Sequence, residues 1–282
     1  MPRILKIEVL APKVRRYVVE APKIARKRKA GQFVLVCATP TGERIPLTIS
    51  NADPEAGTIN LIVQEVGKTT IEMAALKEGD ELTDVVGPLG QPTHIAKVGR
   101  VVCVGGGIGI APLFPIIDAM KQAGNDVTVV LGARNEELLI LEDEVRALGV
   151  ELVICTDDGS KGRKGFVTDV LKEMIAQGPP INEVVTIGPA IMMKFVCEVT
   201  RPHAISTLVS LNPIMVDGTG MCGGCRVQVG NEAKFACVDG PEFDGHLVDF
   251  DLLMRRQQMY KQQEREALER YEADHTCHLE GV

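Results

Sequence analysis

Three thiols toward the C-terminal end hold the densest chemistry of this sequence. Cys222 and Cys225 are separated by two residues, Cys237 follows after eleven more, and Gly218, Gly220, Gly223 and Gly224 surround the first pair. Glycines at that density let a backbone fold tightly round an inorganic core and aim its N–H groups at sulfur. The spacing that holds a 2Fe–2S centre, C-x4-C-x2-C with a last cysteine further on, asks for a first ligand five positions before Cys222, and Asp217 stands there. The candidate metal set is therefore Asp217, Cys222, Cys225 and Cys237, with a carboxylate in place of the first thiolate. The same donors could hold structural zinc, since aspartate is an allowed zinc ligand, although such sites more often draw the fourth donor from Cys or His.

A second constellation is Gly105-Gly106-Gly107-Ile108-Gly109-Ile110-Ala111-Pro112, which follows a Val-rich run. Gly107 and Gly109 open a turn, and Pro112 pre-sets φ in the first turn of a helix whose N-terminus suits a pyrophosphate. Alone the string is a weak signal, because glycines there also permit close helix–strand packing. A third is Gly67-Lys68-Thr69-Thr70, a helix start that could seat an anion. An ordinary N-cap at Thr69 or Thr70 accounts for it equally well.

These groups need elements to position them. Residues 1–98 read as short Val/Ile strands bounded by Gly, Pro or Asp: Ile4–Leu10, Arg15–Glu20, Gln32–Cys37, Thr58–Glu65 and Glu81–Val86. One helix, Thr70 to Lys77, interrupts a pattern that suits a small antiparallel barrel. From residue 99 the pattern alternates. Strands are expected at Val101–Val104, Val127–Leu131, Glu151–Cys155, Glu183–Ile187 and Ser206–Ser210. Helices fall between them at Ile110–Gln122, Glu136–Ala147, Val167–Ala176 and Ile191–Thr200. Continuous apolar strands with helical crossovers mean a parallel, doubly wound sheet. Arg134, Asp157, Gly188 and Pro189 then lie at the carboxyl ends of its strands, lining one crevice with Gly105 to Gly109.

The expected architecture is multi-domain: an antiparallel β-barrel over 1–98, an α/β doubly wound nucleotide domain over 99–212, a small cluster domain over 213–250, and a helix and tail over 251–282. The last helix, Leu252 to about Tyr271, carries only a thin stripe of Leu252, Met259, Ala267 and Tyr271. Such a stripe cannot fold alone and is expected to lie on another subunit. His275, Cys277 and His278 resemble a short metal tract at a fraying end.

The 282 residues are 45% hydrophobic, 4% aromatic, without tryptophan, and carry a net charge of −7, a balance that excludes the basic face nucleic acid requires. No apolar stretch is long enough to span a bilayer, and Met1 to Lys6 lack a signal-peptide core, so a cytoplasmic setting without membrane attachment is expected. Cys37, Cys103, Cys155 and Cys197 sit singly in apolar runs and read as buried hydrophobes.

Taken together these residues resemble the ferredoxin–NADP reductase superfamily, in which a flavin barrel precedes a nucleotide domain with the motif G-x-G-x-x-P, matched by Gly107, Gly109 and Pro112. With the C-terminal cluster the chain is similar to the electron-transfer subunits of type B dihydroorotate dehydrogenases. Asp217 followed by Met-Cys-Gly-Gly-Cys-Arg-Val narrows the likeness to the small subunits of NADH-dependent reduced ferredoxin:NADP oxidoreductases, also described as sulfide dehydrogenases.

The resemblance implies FAD in the barrel, bound through an Arg-x-x-Ser/Thr motif. Here Arg44-Ile45-Pro46-Leu47-Thr48 matches at Thr48, with the arginine one position early, and the resemblance implies that Pro46 and Leu47 beside it also line the flavin. It further implies that Thr69 and Thr70 contact phosphate and that Val63 and Gln64 lie on the ribityl or adenine side.

A 2Fe–2S cluster and NAD(H) or NADP(H) as substrate complete the set. Glu136 and Glu137 after Arg134 would repel a 2′-phosphate, which favours NAD. A nicotinamide gives two electrons as hydride and a cluster takes one, so flavin must stand between them. Positioning rather than a side-chain acid or base would carry the reaction, and no catalytic residue is named. The expected partner is a larger flavoprotein with further clusters, passing electrons among NAD(H), NADP(H) and ferredoxin, with bifurcation as one mode of that transfer. A dihydroorotate dehydrogenase subunit is the alternative. A nucleotide-binding regulatory module with structural zinc is the alternative of another class.

Overall fold

The computed structural model describes residues 1–279, and the side chains of residues 1–273. The chain opens with β1 (Ile4–Ala11), β2 (Val14–Glu20), a short helix α1 (Pro22–Ala25), β3 (Phe33–Cys37), β4 (Arg44–Asp53), β5 (Thr58–Gln64), α2 (Lys68–Ala75) and β6 (Asp84–Leu89). The strands form one antiparallel sheet in the order β1-β2-β5-β4-β3-β6. An antiparallel bridge from Arg3 to Glu81, with Ile4 N–H donating to Asp80 O at 2.8 Å, joins its two ends and closes the barrel. Alternate residues point inward, so Tyr17, Val19, Val34, Val36, Ile49, Ile59 and Leu61 fill the interior with Met73 of α2. Tyr17 is held there by donating its hydroxyl to Met73 O at 3.1 Å.

Five of the six strands coincide with the expected ones; β4 was not among them. Pro46 argues against a strand, since it has no N–H for the ladder. The structure accommodates it because residues 44 to 48 pair only with β3, and pairing with β5 begins at Ile49.

The second unit runs through β7 (Arg100–Gly106), α3 (Ile110–Gln122), β8 (Asp126–Ala133), α4 (Glu142–Ala147), β9 (Glu151–Thr156), β10 (Arg163–Lys164), α5 (Val167–Gln177), β11 (Glu183–Ile187), α6 (Ala190–Thr200) and β12 (Ser206–Ser210). After β13 (Arg226–Val229) and β14 (Glu232–Phe235), which form a hairpin, the short β15 (Glu242–Asp244) joins this sheet. Its order is β10-β9-β8-β7-β11-β12-β15, parallel throughout except for β15, which runs antiparallel to β12. The expected helix over Glu136–Ala147 is replaced by a 3-10 turn at Glu136–Leu138 and the shorter α4. Between them Ile140 and Leu141 turn into the core, and Leu141 adopts φ 60°. Burial of two large side chains there outweighs continuation of the helix.

The stretch after Leu211 shares one hydrophobic core with its neighbours: Cys225, Val227, Ala236 and Cys237 pack with Phe33 and Leu35 of the barrel, with Met193 and Cys197 of α6 and with Val209 of β12. α7 (Phe250–Gln257) adds Phe250 and Leu253 to it, and Asp249 caps this helix by accepting Leu252 N–H at 2.8 Å. The expected single C-terminal helix is broken at residues 258–260, after which α8 (Lys261–Leu279) turns back along α2 of the same chain. The side chains of His275, Cys277 and His278 lie outside the described residues.

Candidate functional site

The candidate residues fall into three groups. In the first, the loop 213–224 presents the candidate cluster donors. Asp217 folds the loop on itself: Oδ1 accepts Thr219 N–H at 2.8 Å and Oδ2 accepts Cys222 N–H at 2.7 Å. These bonds, led by the one from Thr219, hold its carboxyl below the usual carboxylate range. The aspartate therefore serves as a turn former, and an ionised carboxylate so engaged retains acceptor sites for a cation.

On the other side, Cys225 Sγ and Cys237 Sγ stand 3.2 Å apart and buried, while Cys222 is exposed. Gly224 N–H donates to Cys222 Sγ and Cys237 N–H to Cys225 Sγ, each at 3.4 Å. The donors thus fall into two pairs, Asp217 with Cys222 and Cys225 with Cys237, and among the described residues the pairs are not drawn together into one metal-holding group. A binuclear centre with two ligands per iron asks for that division, and backbone N–H groups on sulfur are what tune it. Burial, then the neighbouring Cys225, pushes the Cys237 thiol up to about 12, so a metal must displace its proton.

Gly218 carries the loop's docking. Its φ is +73°, and a Cβ there would come 2.7 Å from Leu89 and 2.9 Å from Leu35, on β6 and β3 of the barrel. Only a residue without a side chain lets the loop lie this close to those strands. Arg256 of α7 adds a hold that no local pattern in the sequence announces, donating to Gly224 O at 3.2 Å across 32 positions.

The second compartment is the crevice at the carboxyl ends of the parallel strands. β7 ends in Gly105 and Gly106, a 3-10 turn occupies Gly107–Gly109, and α3 starts at Ile110. A Cβ at Gly109 would lie 2.2 Å from Ile187 O, so β11 and the turn are in backbone contact. A Cβ at Gly107 would meet nothing within 4 Å, and this cradle facing open space, next to a helix N-terminus, fits a pyrophosphate. Gly188 and Pro189 face Gly106 across the opening through Met192.

Arg134 and Asp157 are exposed at the ends of β8 and β9. Their loops are tied together: Glu136 N–H donates to Ser160 Oγ at 2.8 Å, and Lys161 Nζ lies 2.7 Å from Glu142 and 3.5 Å from Glu136. Glu136 thus stands at the crevice rim already held by a lysine.

The third compartment is the barrel face of β4 and α2. Arg44, Pro46 and Thr48 share one side of β4 by the period of two, opposite Ile45 and Leu47, which pack on the barrel core. The arginine, four rather than three positions before Thr48, therefore still lies on the threonine's side. Its guanidinium pairs with Asp84 of β6 at 3.0 Å and is half exposed.

Thr70 Oγ1 accepts Val66 N–H at 2.9 Å and Gly67 N–H at 3.1 Å, and donates to Gly67 O at 2.9 Å. That hydroxyl is committed to the turn, which leaves the first-turn N–H groups and Lys68, whose Nζ lies 3.3 Å from Glu72, as the groups there that could meet a phosphate. Thr69 is buried, as is Val63, whose side chain belongs to the barrel core; Gln64 beside it is partly exposed. A strand backbone, a helix start and a pairable arginine together fit a flavin diphosphate.

Cys37, Cys103, Cys155 and Cys197 behave as buried hydrophobes. Burial raises Cys155 to about 11 and Cys197 to about 12, and Cys103 is also raised.

Residues 212–249 match the family model of the iron–sulfur cluster binding domain of dihydroorotate dehydrogenase B, and residues 103–198 match that of the oxidoreductase NAD-binding domain. The first match replaces the zinc reading of the cysteines. A Thermotoga maritima protein described as a dihydroorotate dehydrogenase B (NAD(+)) electron transfer subunit homolog is 47% identical over 268 residues, 95% of this chain and 94% of its own. A probable electron transfer subunit of the same enzyme from Methanocaldococcus jannaschii is 36% identical over 88% of this chain and 90% of its own.

Among solved structures, a chain from work on flavin-based electron bifurcation by the NADH-dependent reduced ferredoxin-NADP oxidoreductase superposes with a TM-score of 0.91 at 46% identity, covering 96% of this chain and 98% of that one. Phthalate dioxygenase reductase, at 17% identity and a TM-score of 0.60, shares the fold.

Proposed function

Because the chain belongs to the family of dihydroorotate dehydrogenase B electron-transfer subunits and their homologues, we propose that it is the flavo-iron–sulfur subunit of a heteromeric oxidoreductase, passing electrons between a nicotinamide nucleotide, FAD and a 2Fe–2S cluster. It is an oxidoreductase of the ferredoxin–NADP reductase type. The observation that carries this reading is the docking of Gly218 on Leu35 and Leu89, which presses the cluster loop onto the barrel strands beside β4.

The flavin supplies the exchange between a two-electron donor and a one-electron acceptor. The chain's residues do the positioning. Arg44, Pro46, Leu47 and Thr48 with the start of α2 hold the flavin and its diphosphate. Gly105 to Gly109, with Gly188 and Pro189, hold the nucleotide pyrophosphate at the helix N-terminus. Glu136, paired with Lys161, and the exposed Glu137 after it favour a free ribose diol over a 2′-phosphate, which supports NAD(H). Asp217, Cys222, Cys225 and Cys237 hold the cluster.

Membership in a family of electron-transfer subunits implies a larger partner subunit. Around the exposed Cys222 stand exposed Val216, Met221, Met259 and Tyr260, an apolar surround suited to a protein face that receives electrons. The 46% identity to a chain of the NADH-dependent reduced ferredoxin-NADP oxidoreductase supports a bifurcating partner with ferredoxin and NADP(H) sites, and the 47% identity to a dihydroorotate dehydrogenase B electron transfer subunit homolog supports a dihydroorotate dehydrogenase as the second reading. No helix among the described residues is long and apolar enough to cross a membrane, and the proposed setting is the cytoplasm.

The test is the visible spectrum and metal content of the purified chain, before and after NADH. Flavin and 2Fe–2S absorption that bleaches with NADH, with two irons per chain, is the expected result. A colourless protein containing one zinc would overturn it.

A further inference from the structure

A carboxyl at the seam between barrel, nucleotide sheet and cluster segment takes part in none of these roles. Glu242 opens β15, its side chain mostly buried, and its Oε1 accepts Thr93 Oγ1–H at 2.6 Å. Thr93 is itself buried, on the connection from the barrel to β7, and donates its N–H to Ala30 O at 2.9 Å. Gly31, with φ +82°, completes the contact: a Cβ there would lie 2.3 Å from Thr93 Oγ1 and 2.6 Å from Glu242 Oε1. Three segments from three parts of the chain therefore close on one carboxyl with no room for a side chain between them.

The same seam is joined by backbone. Gln91 N–H donates to Gly240 O at 2.6 Å, Gln91 Nε2 to Val238 O at 2.9 Å, and Leu211 N–H to Pro241 O at 2.9 Å. The segment so held runs from Val238 to Glu242, directly after Cys237.

The neighbours offer this carboxyl no counter-charge. β11 contributes a second carboxyl, Glu183, which acts on Glu242 unfavourably. The connection contributes His94, which acts on Glu183. β12 presents Ser206 and Ser210, and the entry to β3 presents Gly31 and Gln32, all uncharged. Burial, opposed by the Thr93 hydroxyl, pushes Glu242 up to about 7.

We infer that Glu242 is a proton-carrying positioning residue: uncharged, it lets the Val238–Glu242 segment lie buried against the barrel, and when it gives its proton to solvent the buried charge beside Glu183 outweighs the Thr93 bond and loosens that segment, so one proton sets how firmly the chain after Cys237 is held. The ionised form places a charge with no cation beside Glu183, and the relief available is movement of β15 and its leading segment toward water. For electron transfer the inference rests on the function proposed above, whereas the hold itself concerns the polypeptide alone.

The experiment is amide hydrogen exchange of the full chain from about pH 5.5 to 8.5, corrected for intrinsic rates and read at Leu211 and Gln91, whose N–H groups close the seam. In the unmodified chain, protection should fall about tenfold with a one-proton inflection. Glu242→Gln should keep the low-pH protection at every pH. Thr93→Val, which removes the bond to the carboxylate, should move the inflection upward. An inflection unchanged in Glu242→Gln, or protection in the unmodified chain that does not change with pH, overturns the inference.

In the loaded protein, cluster reduction by NADH should slow over the same range while flavin reduction does not, and Glu242→Gln should abolish that slowing. A chain that proved to hold no cluster would sink the proposed function and leave the exchange result to stand by itself.

Discussion

Asp217 Oδ2 accepts the backbone N–H of Cys222 at 2.7 Å, so the residue at the first ligand position also fixes the geometry of the second. Replacing it by alanine therefore removes a turn and a donor together. Asp217→Cys separates the two, because thiolate can ligate iron but caps a turn poorly. The expected outcome is that Asp217→Ala loses or weakens the 2Fe–2S signal, while Asp217→Cys keeps it with a raised potential, since the harder carboxylate favours the ferric state. An alanine variant with unchanged iron, spectrum and potential would leave Asp217 with the turn alone.

Gly218→Ala should undock the loop without touching a ligand. The new methyl would meet Leu35 and Leu89 below 3 Å at a φ of +73°, a clash and a backbone strain of about 1–3 kcal/mol together. Iron content should fall and flavin content should not. Equal loss of both would mean that the barrel, rather than the docking, had failed.

Arg44 is shared between Asp84 and the proposed flavin diphosphate. Arg44→Ala should weaken FAD retention roughly tenfold, the size of one charge-assisted contact. Asp84→Asn frees the guanidinium from its 3.0 Å partner and should leave retention equal or tighter. Apoprotein titrated with FAD reads both. Unchanged affinity in Arg44→Ala would mean that first-turn N–H groups of α2 and Lys68 hold the diphosphate without it.

Stability should depend on pH through Glu242. Its folded value, about 7, stands above the ordinary carboxylate value of 4.5, so the folded chain holds the proton more tightly than the unfolded one. The contribution is complete below about pH 4.5 and is lost as pH rises through about 7. Glu242→Gln should therefore be more stable than the unmodified chain at pH 8 by something of order 2–3 kcal/mol, and near parity at pH 4.5. Urea denaturation at the two pH values measures the difference; a gap independent of pH contradicts it.

Truncation separates the two terminal helices. Ending the chain at Tyr260 removes α8 and leaves Phe250 and Leu253 of α7 in the shared core, so the fold should survive. Because α8 lies along α2, flavin should dissociate faster from the shortened chain, and partner binding should be tested beside it. Ending at Asp251 instead deletes Leu253 and should cost about 2–5 kcal/mol of stability. Equal flavin off-rates with and without α8 would leave that helix to the partner alone.

The sequence by itself determined whatever depends on local pattern. Alternation of β-branched residues announced the barrel strands, and continuous Val runs separated by helical stretches announced the parallel sheet. Cys222, Cys225 and Cys237 pointed to a metal by spacing, and Gly107 to Pro112 announced the turn and helix start that follow the first parallel strand. Local pattern missed β4, where Pro46 mimics a break, and it ran a helix through Ile140 and Leu141, which the core pulls inward.

Only the tertiary structure decided the relations between segments. That the cluster loop rests on Leu35 and Leu89, that Arg256 holds Gly224, that α8 returns to α2 and that Glu242 meets Thr93 are contacts between residues far apart in the chain. Such contacts are set by which buried faces find each other and which polar groups are left to pair. Neither periodicity nor motif spacing encodes that, because both describe a residue's neighbours along the chain and not across the core.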